Sequence, residues 1–211
     1  MVIRECSNPD CAFRYPDPES DQEKAYCPKC GALAPIAAII DLSAGKQIFQ
    51  STAKRKLNLV VLLDNIRSIH NVGAISRTAD GFGVSAMHLC GITPTPEHPR
   101  FAKTSLGAEE VIPWHYHRNA VQTSTALKTE GFHLLALENP HNATNLYAVD
   151  VHLLDFPLAL VLGNEVSGVD PAILALCDDV LAIPMQGVKN SFNVATSFGI
   201  AVSYLYALSL K

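Results

Sequence analysis

The sequence predicts an α/β protein: a parallel sheet with helices on both faces, preceded by a small cysteine-rich module. Three observations lead there. Apolar runs suited to strands alternate along the chain with segments of helical periodicity, the pattern of a parallel sheet built from crossover units. Two of those runs, residues 57–63 (LNLVVLL) and 157–163 (PLALVLG), are almost unbroken, as strands covered on both faces require. Four of the six cysteines fall within the first 30 of 211 residues, ahead of that alternation. The reading divides the chain into a module over 1–35, a connector over 36–56 and a main domain over 57–211.

In the module, Cys6-x4-Cys11 and Cys27-x2-Cys30 offer two short loops with two thiolates each, the donor set that tetrahedral zinc takes. Pro28 shapes the second loop, and Gly31 lets the backbone fold close behind a metal. Phe13, Tyr15 and Tyr26 are too few large apolar residues for a metal-free core. Two other readings compete. Disulfides need an oxidising compartment, and the opening MVIRECSNPD has no apolar export signal. A redox CxxC pair belongs beside a βαβ pattern, which this stretch lacks. Zinc in a ribbon-like module is favoured. Cys90 and Cys177 lie in apolar surroundings and read as core residues.

The connector begins with an apolar stretch over 36–42, a strand or short helix expected to pack back on the main domain, and continues as a polar, mobile stretch over 45–56. After the strand over 57–63, residues 71–81 have helical character, with Val72, Ile75 and Ala79 on one side and Gly81 and Gly83 at the end. A strand over 85–90 follows, then a loop over 92–98 forced by Pro94 and Pro96. The remaining expectations are strands over 111–116, 132–138, 157–163 and 180–184, and helices over 119–128 and 171–177. A long helix over 191–208 closes the chain. It is apolar around most of its circumference, which hints at a subunit interface.

Composition excludes several classes. With 48% hydrophobic residues the chain is not disordered. No apolar run reaches about 18 residues, so no transmembrane helix and no membrane partner are expected, and a cytoplasmic location is the default. No G-x-G-x-x-G follows the first strand of the main domain and there is no P-loop, so neither dinucleotide nor nucleotide-triphosphate binding is expected.

Polar groups and glycines instead gather at predicted strand ends, where open parallel sheets bind ligands. The first such segment runs Asn71-Val72-Gly73-Ala74-Ile75-Ser76-Arg77-Thr78-Ala79-Asp80-Gly81-Phe82-Gly83. The second is Leu160-Val161-Leu162-Gly163-Asn164-Glu165-Val166-Ser167-Gly168-Val169. The third is Ile183-Pro184-Met185-Gln186-Gly187 with Asn190-Ser191-Phe192-Asn193-Val194-Ala195. Taken alone, Gly163 and Gly168 are also ordinary turn glycines, and Asn190-Ser191 is also an ordinary helix cap. In this order and at these separations, the three segments resemble the three motifs of the SpoU (TrmH-like) family of RNA 2′-O-methyltransferases, in the SPOUT class. The resemblance covers roughly residues 57–210.

That resemblance implies a C-terminal trefoil knot, a homodimer with active sites at its interface, and S-adenosylmethionine (SAM) as cofactor. By position, the cofactor would be held by Leu162, Gly163, Asn164, Gly168, Ile183, Met185, Ser191, Phe192, Asn193 and Val194, largely through backbone groups. The catalytic set it implies is Asn71, Arg77, Glu165, Ser191 and Asn193. A guanidinium is a poor base, so Arg77 reads as a clamp on the adjacent RNA phosphate and the developing alkoxide, with its protonation role left open. Asn71 caps its helix or holds the arginine, and Glu165 orients Arg77 or a group of a partner chain. Substrates would be tRNA or ribosomal RNA. The alternatives are methylation of an RNA base on the same fold, or a catalytically inactive zinc-ribbon RNA-binding protein. Whether the zinc module recruits RNA or is only structural is open.

A net charge of −4 is unusual for an RNA binder, and its distribution matters more than its sum. Residues 129–211 carry two basic against eight acidic side chains, whereas 54–128 carry nine against five. RNA contacts are therefore expected at Lys54, Arg55, Lys56, Arg100 and Lys103, although the 54–56 run is equally a solvated linker face. The stretch 103–109 (KTSLGAE) resembles a family segment at the active-site rim and is equally a solvated turn. His115, His117 and His141 lack ligand spacing, so no second metal is expected.

Overall fold

The chain folds into two units, 1–51 and 52–211. The computed structural model describes residues 1–18, 25–41, 57–105, 107–140 and 142–211, without the side chain of Glu109. The polar stretch over 45–56, with Lys54, Arg55 and Lys56, lies outside the described residues, as do Leu106 and His141.

The small unit is a three-stranded antiparallel sheet of β1 (Val2–Glu5), β2 (Arg14–Asp17) and β3 (Ile36–Ile39), ordered β2-β1-β3. The apolar stretch expected to lead from the module to the main domain is therefore the module's own third strand, with Val2 opposite Ile39. Sheet pairing of β1 extends this unit past the expected boundary at residue 35. Arg4 is buried and bonded to Asp17 at 2.6 Å and to the Ala34 carbonyl at 3.2 Å, so its charge is matched inside the sheet. Among the described residues its buried apolar cluster holds Cys6, Cys27 and Ala34, and Val2 is buried as well.

The large unit contains a seven-stranded sheet. Its elements are β4 (Leu59–Asp64), α1 (Ile69–Gly81), β5 (Ala86–Cys90), α2 (Ala102–Ser105), β6 (Trp114–His117), α3 (Ala120–Thr129), β7 (His133–Leu137), β8 (Thr144–Asn145), β9 (Leu158–Leu162), α4 (Pro171–Leu174), β10 (Asp179–Ala182) and α5 (Val194–Ser209). All ladders are parallel, in the order β6-β5-β4-β9-β7-β10-β8. The two nearly unbroken apolar runs, β4 and β9, pair at its centre, with Leu59 opposite Leu158. Their side chains alternate: Leu59, Val61, Leu63, Leu158, Leu160 and Leu162 face one core, and Val60, Leu62, Ala159 and Val161 the other.

Helices α1 and α5 cover the first face through Val72, Ile75, Phe198 and Leu205, and α3 and α4 cover the second through Leu127 and Ile173. Each such fully buried side chain contributes about 1.5–3 kcal/mol. Helix α1 starts at Ser68, whose hydroxyl accepts from the Asn71 N–H, and ends where Gly83 adopts a left-handed φ of 66°. Asn71 therefore does not cap it. Helix α5 is capped by Asn193 rather than Asn190 or Ser191, because the Asn193 carboxamide accepts from the Ala195 and Thr196 N–H groups. The short elements α2 and β8 and the 3-10 turns at Leu146–Ala148 and Val151–Asp155 were not expected, being too brief to show periodicity.

Candidate active-site cleft

The carboxyl ends of β7, β9 and β10 and the start of α5 enclose a cleft of about 950 Å³. That volume lies within the usual range for small-molecule sites, roughly 300–1,000 Å³. All ten residues expected to hold the cofactor line it: Leu162, Gly163, Asn164, Gly168, Ile183, Met185, Ser191, Phe192, Asn193 and Val194. Glu165 lines it as well.

The loop after β9 closes on itself. Asn164 and Gly168 exchange backbone hydrogen bonds at 3.0 and 2.9 Å, and Gly168 has a φ of 73°. The Asn164 carboxamide accepts from Val166 and Ser167 and donates to the Asn65 carbonyl, so that side chain braces the loop. A Cβ at Gly163 would stand 2.2 Å from the backbone of Gly168 and Val169. Gly163→Ala is therefore expected to cost about 1–3 kcal/mol through overpacking and to lower affinity for SAM. Unchanged melting and unchanged SAM titration would show that the loop does not depend on this approach.

Above the loop, the three motifs join through side chains. Glu165 accepts from the Arg67 and Ser68 N–H groups at 2.9 and 3.1 Å and from the Asn71 amide at 2.8 Å. The Asn71 oxygen in turn accepts from Asn193 at 3.0 Å. A carboxylate thus sits at the positive start of α1 while the same network caps α5. The expectation that Glu165 orients Arg77 is corrected within one chain: the carboxylate accepts from the start of α1 instead.

Burial works to raise the Glu165 pKa, but the Arg67 N–H, the Asn71 amide and the Ser68 N–H outweigh it and leave the carboxyl below its ordinary range. A depressed folded value means this contribution to stability is present above the ordinary glutamate pKa of about 4.3 and is lost as pH falls through the lower folded value. Glu165→Gln should flatten that acid limb in pH-dependent melting, whereas an unaltered limb would assign it to other carboxylates. Because Glu165 is exposed, the effect is small.

Arg77 is not brought to this cleft. It lies exposed on α1, and its side chain makes no hydrogen bond or ion pair among the described residues. Arg100 and Lys103 line a separate groove of about 420 Å³ with His70 and Thr104. That groove depends on Gly73, where a Cβ would fall 2.1 Å from the Thr104 hydroxyl. Glu138 and Asn139 were missed by the sequence reading, yet they form a third wall of the cleft. Glu138 accepts from the Val169 N–H at 3.2 Å and Asn139 donates to the Asn190 carbonyl at 3.1 Å. Their position at the carboxyl end of a predicted parallel strand was the available signal.

In the small unit, the Sγ atoms of Cys6, Cys11, Cys27 and Cys30 all lie within 4.8 Å of one another, with Cys6 to Cys30 at 3.4 Å and Cys11 to Cys27 at 3.9 Å. Zinc–sulfur bonds of about 2.3 Å at tetrahedral angles set ligand sulfurs roughly 3.8 Å apart, so the donor set fits zinc. All four cysteines are free thiols, far from disulfide contact.

The SpoU rRNA Methylase family profile matches residues 58–203, beginning after the cysteine module. The tRNA (guanosine(18)-2′-O)-methyltransferase of Thermus thermophilus is 32% identical over 155 residues, spanning 74% of this chain and 77% of that protein. The A. aeolicus TrmH/SpoU tRNA modifying enzyme has a similar structure, with a TM-score of 0.63 at 30% identity over 74% of this chain and 77% of its own. The AdoMet-bound rRNA methyltransferase from Sinorhizobium meliloti gives a TM-score of 0.66 at 25% identity, over 72% of this chain and 56% of that one.

Proposed function

Because this chain belongs to the SpoU rRNA methylase family, we propose that it transfers a methyl group from SAM to a ribose 2′-hydroxyl of tRNA or ribosomal RNA. The observation that carries the proposal is the convergence of Glu165, Asn71 and Asn193, one from each motif, at the mouth of the cleft. The cleft suits the cofactor: Leu137, Leu162, Leu181 and Ile183 offer an apolar wall for an adenine, and loop backbone offers donors and acceptors. When bound, SAM supplies an already activated sulfonium methyl. The protein must orient the hydroxyl and ease departure of its proton. Ser191 and Asn193 line the cleft where they can hold the ribose, and Asn193 is itself held by Asn71. Arg77 clamps the neighbouring phosphate and steadies the alkoxide as it forms.

Since Arg77 stands outside the cleft of its own chain, we infer a homodimer in which a second copy completes each site. The partly exposed, largely apolar α5 supports an interface there. A trefoil knot is proposed from the same family, with support from the loop after β7, which bonds to both the 168–169 and 190 segments. Arg100 and Lys103, with Lys54, Arg55 and Lys56 ahead of β4, are the proposed RNA contacts. Among the described residues no helix is long and apolar enough to cross a membrane. A cytoplasmic location is proposed on the same footing as the RNA substrates.

Cys6, Cys11, Cys27 and Cys30 are proposed to hold a structural zinc ion. Residues 1–41 carry four basic against seven acidic side chains, and a tetrathiolate zinc centre adds negative charge. That balance opposes phosphate binding, so the module's proposed role is structural rather than electrostatic recruitment of RNA. The test of the whole reading is to map methyl groups on RNA incubated with the purified chain and methyl-labelled SAM. Label on ribose 2′-oxygens supports it; label on a base, or none on any RNA pool, overturns it.

A further inference from the structure

His88 on β5 and His115 and His117 on β6 project from one face of the sheet. The two strands pair in parallel with His88 opposite His115 and Cys90 opposite His117. Met87 and Trp114, one residue earlier on each strand, point to the opposite face and pack into the core beneath α1 and α5. The His88 Nδ1 and His117 Nε2 atoms are 3.0 Å apart. Ring centroids are separated by 5.1 Å for His88–His117, 5.7 Å for His88–His115 and 6.4 Å for His115–His117. His115 is exposed and the other two are half-buried, so solvent reaches the cluster. Along the chain, His115 and His117 have no third partner; only cross-strand register supplies His88.

Imidazole nitrogens bind zinc-class ions at about 2.0–2.1 Å, which sets two neighbouring ligand nitrogens roughly 3 Å apart and their ring centroids about 5 Å apart. The His88–His117 pair already has that spacing. His115 stands farther off, and its exposure leaves its side-chain torsions free to bring the third ring in. We propose that His88, His117 and His115 form a second metal site, for a divalent first-row transition ion of the nickel, copper or zinc class. An all-imidazole donor set matches such borderline ions and disfavours calcium and magnesium, which take oxygen ligands. Cys90 is not part of it, because its sulfur is turned toward the Thr123 hydroxyl at 4.0 Å. The bound ion would tie the edge strand β6 to β5, and its remaining positions would hold water. The site is distinct from the four-cysteine cluster and does not depend on the methyl-transfer reading.

The test titrates nickel into the full-length chain after its four-cysteine site has been filled with zinc. One further equivalent of metal is expected to bind and to raise the melting temperature. Loss of an outer-shell partner alone costs roughly 10- to 100-fold in metal affinity, so His88→Gln and His117→Gln should each weaken nickel by at least about 100-fold. His115→Ala should weaken it less, and Cys90→Ser should leave it unchanged. SAM binding by each variant confirms that it is folded. In the wild-type chain, substoichiometric nickel should broaden the imidazole NMR signals of His88 and His117 before those of His70 and His152. Absence of a further equivalent, equal affinity in the folded His117→Gln variant, or broadening spread over all histidines would overturn the proposal and leave the pair as an imidazole–imidazole hydrogen bond.

Discussion

Arg77→Ala is expected to lower the rate of methyl transfer by about 10²–10³-fold, the usual effect of removing one preorganised donor to a developing oxyanion, while SAM affinity stays at the wild-type value. The second half of this expectation follows from geometry: Arg77 is exposed on α1 and is absent from the lining of the SAM cleft. Its side chain also makes no hydrogen bond or ion pair among the described residues, so its truncation leaves no buried partner unsatisfied and the fold should be unaffected. Arg77→Lys should recover little, because an ammonium keeps the charge but loses the planar fork that grips phosphate in two places. Single-turnover assays beside SAM calorimetry separate the outcomes. Lost SAM affinity would make Arg77 a structural residue, and undiminished turnover would remove it from the mechanism. Mixing Arg77→Ala subunits with subunits disabled at Asn193 tests the proposed homodimer further. Activity restored in the mixture means the two residues serve one site from different copies.

Zinc removal should have the largest effect on stability, and it should be confined to the small unit. Among the described residues, two of the three in that unit's buried cluster, Cys6 and Cys27, are proposed ligands, so without metal little of that cluster remains. Structural zinc contributes about 10–16 kcal/mol of apparent binding free energy in comparable small modules, far more than the remaining contacts supply. Chelation, or Cys27→Ser, is therefore expected to collapse the NMR dispersion of residues 1–41, while the large unit keeps its melting transition and its SAM binding. Zinc analysis of the chain carrying His117→Gln, which removes the proposed imidazole site, should return one ion, falling to none when Cys27→Ser is added. Dispersed small-unit signals after complete chelation would show that the sheet β2-β1-β3 and the Arg4–Asp17 pair hold without the ion.

Much of the large unit was legible along the chain because its strongest signals are local. The runs at β4 and β9 are apolar on both faces, and the helices α1, α3 and α5 carry apolar stripes with cap residues at or near their starts. Cap identity was less legible. Ser68 caps α1 while the Asn71 side chain is engaged with Glu165 and Asn193, and Asn193 caps α5 while it also reaches Asn71, facts that no local pattern records. The apolar stretch at Ile36–Ile39 was recognised, but its partner was not, since β1 lies more than thirty residues away in sequence.

The sequence by itself determined the fold class and the family, and it pointed to ten of the residues that line the cleft. Each of these follows from residue identity and short-range order: periodicity, glycine placement and three ordered motifs. Only the tertiary structure decided which side chains bond to one another. It turned Glu165 from a partner of Arg77 into the anchor of α1, made Asn164 a loop brace, brought Glu138 and Asn139 into the cleft and set His88 against His117. Those pairings depend on strand order and register, which join residues dozens of positions apart. A sheet in which β9 inserts between β4 and β7 brings them together through long-range packing, which local sequence patterns do not encode.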